Sequence, residues 1–366
     1  MARIDFDNRI QRLAKRRKGG DKDYNFADIL NEGTVNYSEF AKLKAMTERW
    51  ETASTRPSVR YALGAMQEVD KRYTEISIET AKRIENQLIK RLPVYGLNTE
   101  YKLQGSVPLN IHIKGVSDVD MLVIDKSHHR SEPYINTLMK DDIEVLKKLR
   151  NATEYELKCA YPSVKVDTKG DKAIKLTGGS LPRDVDVVPA HWVETNEYIK
   201  YRLSYDRGIN ILNKSIPSTF LNLPFKHIQS IEKVCIHLTE GSLRKSIRLC
   251  KNIKADLIAE GRSIYLTSYD LASIMYYADK EALKLGKTNA LAIVRETQRL
   301  FDYLYNNQIY AKAMTTPDGT RRIFDSSNKI DSLLTMSVAL DNLVDDLIND
   351  LGFYIRDSLK SYGLSI

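Results

Sequence analysis

The chain has 366 residues, of which 42% are hydrophobic and 28% are charged, a composition typical of a folded globular protein with a substantial core. No apolar run is long enough to cross a bilayer, and the N-terminus lacks the apolar core of a signal peptide, so we expect a cytoplasmic protein without membrane association. The three cysteines, Cys159, Cys235 and Cys250, have unrelated spacings that indicate neither a disulfide framework nor a zinc site.

The formal net charge of +8 is concentrated at the N-terminus. Residues 1–22 hold eight Lys and Arg against three Asp, a local charge of +5, which leaves +3 for the other 344 residues. A basic arm of this kind can bind phosphates without specificity, but a solvated and partly mobile terminus is the more common structure. Activation by nucleic acid is therefore an open alternative that is not favoured.

Residues 23–98 are predicted to form helices. From Pro57 onward, apolar residues recur at intervals of three and four, which predicts one long amphipathic helix that Pro93 ends. The residues of this stripe are Met66, Val69, Tyr73, Ile76, Thr80, Ile84 and Leu88. A helix with one such face has one side to bury against a core.

Residues 99–126 hold an unusual combination of motifs. Gln104-Gly105-Ser106 follows a short strand, where a glycine lets the backbone approach a phosphate and a hydroxyl can bond to it. Asp118 and Asp120 precede an apolar run that is typical of a buried strand, so alternation places both carboxylates on one face. Like charges side by side repel unless a cation lies between them, and oxygen ligands of this kind suit Mg²⁺.

The next segment predicts a mixed lobe. His128 and His129 lie in a polar stretch that we expect to be a loop and not a metal site, because no other ligand is suitably spaced. Residues 135–150 show helical periodicity, and strand-like runs at 163–167 and 173–177 flank a hairpin turn. A helix followed by antiparallel strands favours an α+β lobe over a doubly wound sheet.

A second acidic strand supplies the third carboxylate. Asp184 and Asp186 lie two residues apart in a Val-rich run that Pro189 closes. Placed beside the first acidic strand, this run would complete a centre for two-metal phosphoryl transfer. Each motif alone is more often structural, as a turn, a strand-end cap or an exposed strand face, and only their combination favours catalysis.

These motifs resemble those of the polymerase-beta superfamily of nucleotidyltransferases, and within it the CD-NTases, the bacterial relatives of cyclic GMP-AMP synthase that act in anti-phage signalling. The resemblance rests on Gln104-Gly105-Ser106, Asp118-Val119-Asp120 and Asp186-Val187-Val188-Pro189-Ala190. It implies that Asp118, Asp120 and Asp186 are the catalytic residues and hold two Mg²⁺, or Mn²⁺. Asp186 is preferred over Asp184 because it immediately precedes Val-Val-Pro.

The sequence departs from the family at one point. Many members carry a threonine a few residues after the Gly-Ser pair, whereas residues 107–111 here are Val-Pro-Leu-Asn-Ile. This departure concerns the contacts around the phosphate loop and leaves the three acids unaffected.

The second half of the chain, from about residue 226, has helical periodicity. Lys251 lies on a predicted helix, and Ser268-Tyr269 follows 17 residues later. In the resembling family such residues hold the donor nucleotide, with Lys and Ser on the triphosphate and the Tyr ring on the base. The implied nucleotide-binding residues are thus Gln104, Gly105, Ser106, Lys251, Ser268 and Tyr269. A surface lysine and a core tyrosine are the alternatives, and Lys254 is the competing lysine.

The expected fold is α+β and bilobal, and the resemblance implies a polymerase-beta-like nucleotidyltransferase lobe on a mixed sheet, a C-terminal helical lobe and a long N-terminal spine helix that joins the lobes. An ordinary core helix is the alternative for this last element. The predicted segments are a basic arm at 1–22, N-terminal helices at 23–98, a catalytic core at 99–215 and a helical nucleotide-binding lobe at 216–366. Within the last segment, a buried Met/Leu stripe is predicted at Met336, Leu340, Leu343, Leu347 and Leu351.

The resemblance implies a cyclic oligonucleotide synthase that joins nucleoside triphosphates into a cyclic di- or trinucleotide, releases pyrophosphate and signals to a separate effector through its product. Three alternatives stay open: a linear oligoadenylate synthase, an RNA-tailing or toxin-type nucleotidyltransferase, and a non-catalytic nucleotide-binding scaffold.

Overall fold

The computed structural model describes residues 4–18, 47–132 and 140–351. Seven strands of this part form one sheet: β1 Thr99–Gln104, β2 Val119–Ser131, β3 Lys165–Asp167, β4 Ile174–Thr177, β5 Val185–Glu194, β6 Gly208–Asn213 and β7 Ser218–Asn222. The α-helices are α1 Phe6–Arg17, α2 Arg49–Thr52, α3 Pro57–Met66, α4 Lys71–Arg91, α5 Lys140–Ala160, α6 Asn196–Tyr201, α7 Pro224–Lys233, α8 Ser242–Ala259, α9 Ser268–Tyr276, α10 Lys280–Lys284, α11 Ala290–Asn306, α12 Gln308–Ala313 and α13 Ser327–Leu351. None of the helices in these ranges is both long and apolar enough to span a bilayer.

The sheet is mixed, as the sequence predicted, and β5 is its central strand. β5 pairs in parallel with β2, antiparallel with β4 along its first half, and antiparallel with β6 along its second half. Alternation along β2 sends Met121 and Val123 to the face that α4 and α5 cover, while Leu122 and Ile124 join the cluster on the other face. With both faces covered, the central strands are continuously apolar.

The helical lobe has its own core, formed mainly by α3, α8, α11 and α13. The predicted stripe on α13 lies in this core, where Met336, Leu340, Leu343 and Leu347 are buried. The predicted hairpin is present as β3 and β4. The sheet continues through β7 to Asn222, beyond the end of the catalytic core predicted at residue 215.

The prediction of a solvated N-terminal arm is wrong for the residues that the structure describes. Residues 6–17 form α1, whose Phe6, Ile10 and Leu13 join the helical core. Arg16 is buried and donates to Asp256 on α8 at 2.7 Å, while Arg9 donates twice to Glu260. The carboxylates that pair with Arg16 and Arg9 lie 240 and 251 residues further along the chain, so no local pattern could have indicated them.

Asp256 is the buried centre of this contact, and replacing it should be costly. It accepts hydrogen bonds from Arg16 and from the Tyr61 hydroxyl, the latter at 2.6 Å, and it has no exposed surface. Asp256→Ala leaves a buried guanidinium and hydroxyl without their acceptor, so we expect a loss of about 3–5 kcal/mol in the free energy of unfolding. Lys287→Ala, which removes an exposed ion pair with Glu240, should leave the free energy of unfolding nearly unchanged in the same denaturant titration. Equal losses in the two variants would contradict this account of α1.

The single long helix predicted from Pro57 is two helices. α3 ends at Met66, the chain is extended at Gln67, and α4 begins at Lys71. Asp70 caps α4, because its side chain accepts from the Arg72 amide at 2.8 Å. Val69, in the non-helical link, is buried like the apolar residues of the two helices. The apolar spacing therefore continues across the break, which is why the sequence predicted a single helix. α4 ends two residues before Pro93, close to the predicted end.

Two further expectations need correction. His128 and His129 belong to strand β2 and not to a loop, because β2 resumes its pairing with β5 after an irregularity between Asp125 and His129. Helix α5 runs to Ala160, ten residues beyond the predicted end, while residues 135–139 of the predicted helix lie outside the described residues.

Candidate active site

Three carboxylates converge at one end of the β2–β5 pair. Asp120 and Asp186 occupy paired positions in the parallel register, and Asp118 immediately precedes β2. The side chains of Asp118 and Asp186 remain 22% and 26% exposed, so they are accessible from a cavity. Asp184, the alternative acid, is buried and lies outside the lining of this cavity.

The cavity has a volume of about 380 Å³ and lies between the sheet and the helices that follow it. All nine site residues predicted from the sequence line it: Gln104, Gly105, Ser106, Asp118, Asp120, Asp186, Lys251, Ser268 and Tyr269. Lys254, the competing lysine, instead donates to the backbone carbonyl of Leu266. The fold therefore brings together residues from β1, β2, β5, α8 and α9 around one space.

Gly105 has to be a glycine for two reasons. Its φ of +73° is in the left-handed region, and a Cβ at this position would lie 2.2 Å from Asp120 Oδ2. The turn continues with a bond from the Ile111 amide to the Ser106 carbonyl at 3.1 Å. The backbone therefore passes directly beside one of the three carboxylates, which a larger residue would prevent.

The closeness of the three acids changes the pKa of Asp120. Burial, together with the negative charges of Asp186 and Asp118, raises the pKa of Asp120 to about 7. Lys175 on β4 partly compensates, because its Nζ lies 2.6 Å from Asp118 Oδ2 and 4.0 Å from Asp186 Oδ1. The cluster therefore needs positive charge, and a lysine supplies some of it.

Sequence reasoning missed Lys175. The run at 173–177 was predicted as a hairpin strand, but its pairing with β5 was not, and Lys175 reaches the acids because it is paired with Asp186 across β4 and β5. The signal that could have found it is a basic residue in a strand next to an acidic one, since opposite charges are common in cross-strand pairs.

Lys251 is buried in the wall of the cavity. Its ammonium donates to the carbonyl of Ile111 at 3.0 Å and to the hydroxyl of Ser117 at 2.9 Å. Burial lowers the pKa of Lys251 to about 7, and the nearby charge of Asp120 offsets part of this effect. An ammonium has three donors, so one stays available to an anionic group in the cavity.

Ser268 and Tyr269 begin α9 at the opposite wall, and Thr267 caps that helix. The Tyr269 ring stacks on the His227 ring with centroids 3.9 Å apart, and its hydroxyl donates to Asp318 at 2.6 Å. Sequence reasoning did not select His227 or Asp318. Both are distant in sequence from the Ser-Tyr pair, and neither forms a motif with it.

A stability measurement tests the strain in the acid cluster. The ordinary pKa of Asp120 is 3.8 and its folded value is about 7, so the folded state binds more protons between these pH values and loses stability as the pH rises. We expect Asp120→Asn, in EDTA at pH 8, to unfold with a free energy on the order of 2–4 kcal/mol above that of the wild type. The difference should shrink toward zero near pH 4. A variant that is less stable than the wild type at pH 8 would contradict the assignment of crowded charges.

A mixed sheet that presents three acids to a cavity under a helical lobe defines the nucleotidyltransferase class, and the comparisons with known proteins specify the family. The model of the C-terminal helical domain of cGAS/DncV-like nucleotidyltransferases (CD-NTases) matches residues 236–345. The cyclic dinucleotide synthase CdnE of Yersinia aleksiciae is 40% identical over 368 residues, which cover 96% of this chain and 96% of that protein. The chain belongs to the CD-NTase family.

Two further comparisons involve Capnocytophaga granulosa. Its c-di-GMP synthase is 33% identical over 343 residues, which cover 85% of this chain and 94% of that protein. A solved structure of a STING-associated CdnE c-di-GMP synthase from this organism aligns with a TM-score of 0.70 at 28% identity, covering 94% of this chain and 99% of that one. The bilobal α+β fold expected from the sequence is that of these proteins.

Proposed function

We propose that this chain is a cyclic dinucleotide synthase that links two nucleoside triphosphates and releases pyrophosphate from each, as part of bacterial anti-phage signalling. The observation that carries the proposal is the meeting of Asp118, Asp120 and Asp186 in a cavity large enough for nucleotides. The relatives at 40% and 33% identity are named as cyclic dinucleotide and c-di-GMP synthases, which favours a two-nucleotide ring over a larger one.

The residues of the cluster suit divalent cations. The donor set is three carboxylates, which prefer hard ions such as Mg²⁺ or Mn²⁺, and burial together with the neighbouring Asp186 and Asp118 raises the pKa of Asp120, an effect that a bound cation would offset. Two such ions, when bound, would lower the pKa of the attacking hydroxyl and neutralise the pyrophosphate that leaves. Asp120 and Asp186 are held in register by the parallel strands, which fixes the spacing of these ligands.

The other cavity residues would hold and orient the nucleotides. Gly105 lets the backbone approach the triphosphate beside Asp120, and Ser106 offers a hydroxyl to it. The free donor of Lys251 would meet a phosphate oxygen, whose charge raises the pKa of this lysine and keeps it protonated. Ser268 would bind the same phosphates, and the part of the Tyr269 ring that stays accessible would stack on a base.

The product would carry the signal to a separate effector protein in the cytoplasm. The related structure from C. granulosa is described as STING-associated, which is consistent with an effector that recognises a cyclic dinucleotide. Activation by nucleic acid is not favoured, because four arginines of the N-terminal helix pair with carboxylates of this same chain, namely Arg9, Arg12, Arg16 and Arg17.

The test is to incubate the purified chain with each radiolabelled nucleoside triphosphate, alone and in pairs, with Mg²⁺ or Mn²⁺, and to treat the products with phosphatase. With the label on the α-phosphate, a cyclic product keeps all of it under phosphatase because it has no terminal phosphate, whereas a linear oligoadenylate loses the label of its 5′-terminal phosphate. Phosphatase-sensitive products would overturn cyclisation, and failure to consume any triphosphate would favour the scaffold alternative.

A further inference from the structure

A second polar cluster lies on the β2–β5 pair, toward the end away from the three acids. His128 on β2, His191 on β5 and Asp142 in the first turn of α5 place three ligand atoms within 4.8 Å of one another. His128 Nε2 is 2.5 Å from Asp142 Oδ1, and His191 Nε2 is 3.7 Å from the same oxygen. The two imidazole rings meet edge to face with centroids 4.8 Å apart.

His191 has a buried lone pair that points into this cluster. Its side chain has no exposed surface, and its Nδ1 lies 3.0 Å from the backbone carbonyl of Trp192. A carbonyl only accepts, so Nδ1 carries the proton and Nε2 carries the lone pair. Within the described residues, His191 Nε2 has no hydrogen-bond donor. A buried acceptor left in this way costs free energy, and a ring that donates Nδ1–H to a carbonyl is typical of histidines that bind metals through Nε2.

We propose that His128, His191 and Asp142 form a Zn²⁺ site that ties β2, β5 and the first turn of α5 together. Two imidazoles and one carboxylate suit Zn²⁺ better than Mg²⁺. With bonds of about 2 Å, tetrahedral ligand atoms lie roughly 3.3 Å apart, so small side-chain rotations suffice to reach this geometry. The His128 side chain is 24% exposed, which gives the ion a path from solvent and leaves room for a water as the fourth ligand.

Arg130 is a positive charge next to the proposed site, but its geometry allows it to hold the Asp142 carboxylate in place for the ion. Its Nε donates to both oxygens of Asp142, at 2.7 and 2.9 Å. Each carboxylate oxygen has two lone pairs, and on Asp142 Oδ1 one of them accepts from Arg130 and the other from His128. When the His128 proton is on Nδ1 instead of Nε2, the lone pair that accepted from His128 is free to bind the ion. Arg130 then holds the carboxylate from outside, as outer partners of metal ligands do.

This site is separate from the catalytic centre. His191 follows Asp186 by five residues on the same strand, a distance of roughly 17 Å at the rise of a β-strand. The ion would join three structural elements and take no part in nucleotide chemistry. The expected effect of the ion is therefore on stability.

The experiment is a Zn²⁺ titration of the EDTA-treated, dialysed full chain in millimolar Mg²⁺, with metal content and thermal unfolding as readouts. We expect about one Zn²⁺ retained per chain and a midpoint raised by roughly 3 °C or more. His129→Ala, which removes the exposed neighbouring histidine, should behave like the wild type, and His128→Ala should lose both effects. The Asp120→Asn/Asp186→Asn double variant should still bind the ion, because the catalytic acids are not its ligands.

Co²⁺ gives an independent readout on the wild type, since bound in a tetrahedral site it has intense visible absorption. A wild-type chain that retains less than about 0.2 equivalents of Zn²⁺, with no shift in its unfolding midpoint, would overturn the proposal. Equal binding by wild type and His128→Ala would overturn it as well. In either case the cluster would be a metal-free hydrogen-bonded chain of Arg130, Asp142 and His128.

Discussion

Asp186→Asn is expected to lower the consumption of nucleoside triphosphates by about 1,000-fold or more, while Asp184→Asn on the same strand stays within about threefold of the wild type. Asp186 is paired with Asp120 across the parallel strands and lines the cavity, and Asp184 does not line it. Losing a charged ligand of catalytic metal ions removes several kcal/mol of transition-state stabilisation, and each 1.4 kcal/mol is a factor of ten in rate.

The two variants are a matched pair, because each replaces one carboxylate by an amide of the same size two residues apart. Turnover should be measured at saturating nucleotide in both Mg²⁺ and Mn²⁺, with circular dichroism to confirm that both variants fold. A large loss for Asp184→Asn together with a small loss for Asp186→Asn would mean that the register of β5 presents the other acid. Equal and small losses would remove both from the chemistry.

Gly105→Ala should reduce turnover by about 100-fold or more, with a smaller effect on folding. The new Cβ would lie 2.2 Å from Asp120 Oδ2, so either the carboxylate or the turn has to move. A displacement of about 1 Å in a catalytic group can cost about 100-fold in rate. The alanine also has to adopt a φ of +73°, which adds about 1 kcal/mol of backbone strain.

Gly178→Ala is the control that separates the backbone strain of a positive φ from the steric clash with Asp120. Gly178 has a similar φ of +68°, but a Cβ there would meet no atom within 4 Å. Its alanine variant should therefore show a similar loss in the free energy of unfolding and nearly unchanged turnover. If the two alanine variants lose activity equally, backbone strain alone explains the effect and the contact with Asp120 has no catalytic importance.

Short-range patterns in the sequence indicated the two acidic strands, and the resemblance to the nucleotidyltransferases selected Asp186 over Asp184. Asp118 and Asp120 are two apart before a buried strand, and Asp186 stands in a second Val-rich strand, so each motif was visible locally and the structure places them together. The mixed sheet, the β3–β4 hairpin and the stripe of α13 were predictable for the same reason. Periodicity and turn residues operate over a few positions, which is the range that sequence patterns cover well.

The features that the sequence did not reveal depend on distant partners. Lys175 reaches the acids through strand pairing, and His191 joins His128 through the register of β5 beside β2. The basic arm packs against the helical lobe, where Asp256 and Glu260 on and just after α8 pair with its arginines. The break before α4 was missed although its signal is local. Asp70 caps the new helix, but the apolar residues keep their helical spacing across the break and so predicted one continuous helix.

The most direct test of the central claim is a crystal structure of the chain with Mg²⁺ and a non-hydrolysable ATP analogue. We expect ions at about 2.1 Å from carboxylate oxygens of Asp118, Asp120 and Asp186, with the triphosphate on the side of Gly105 and Lys251. A structure in which the nucleotide binds elsewhere, or in which these carboxylates hold no ion while the triphosphate is present, would contradict the account.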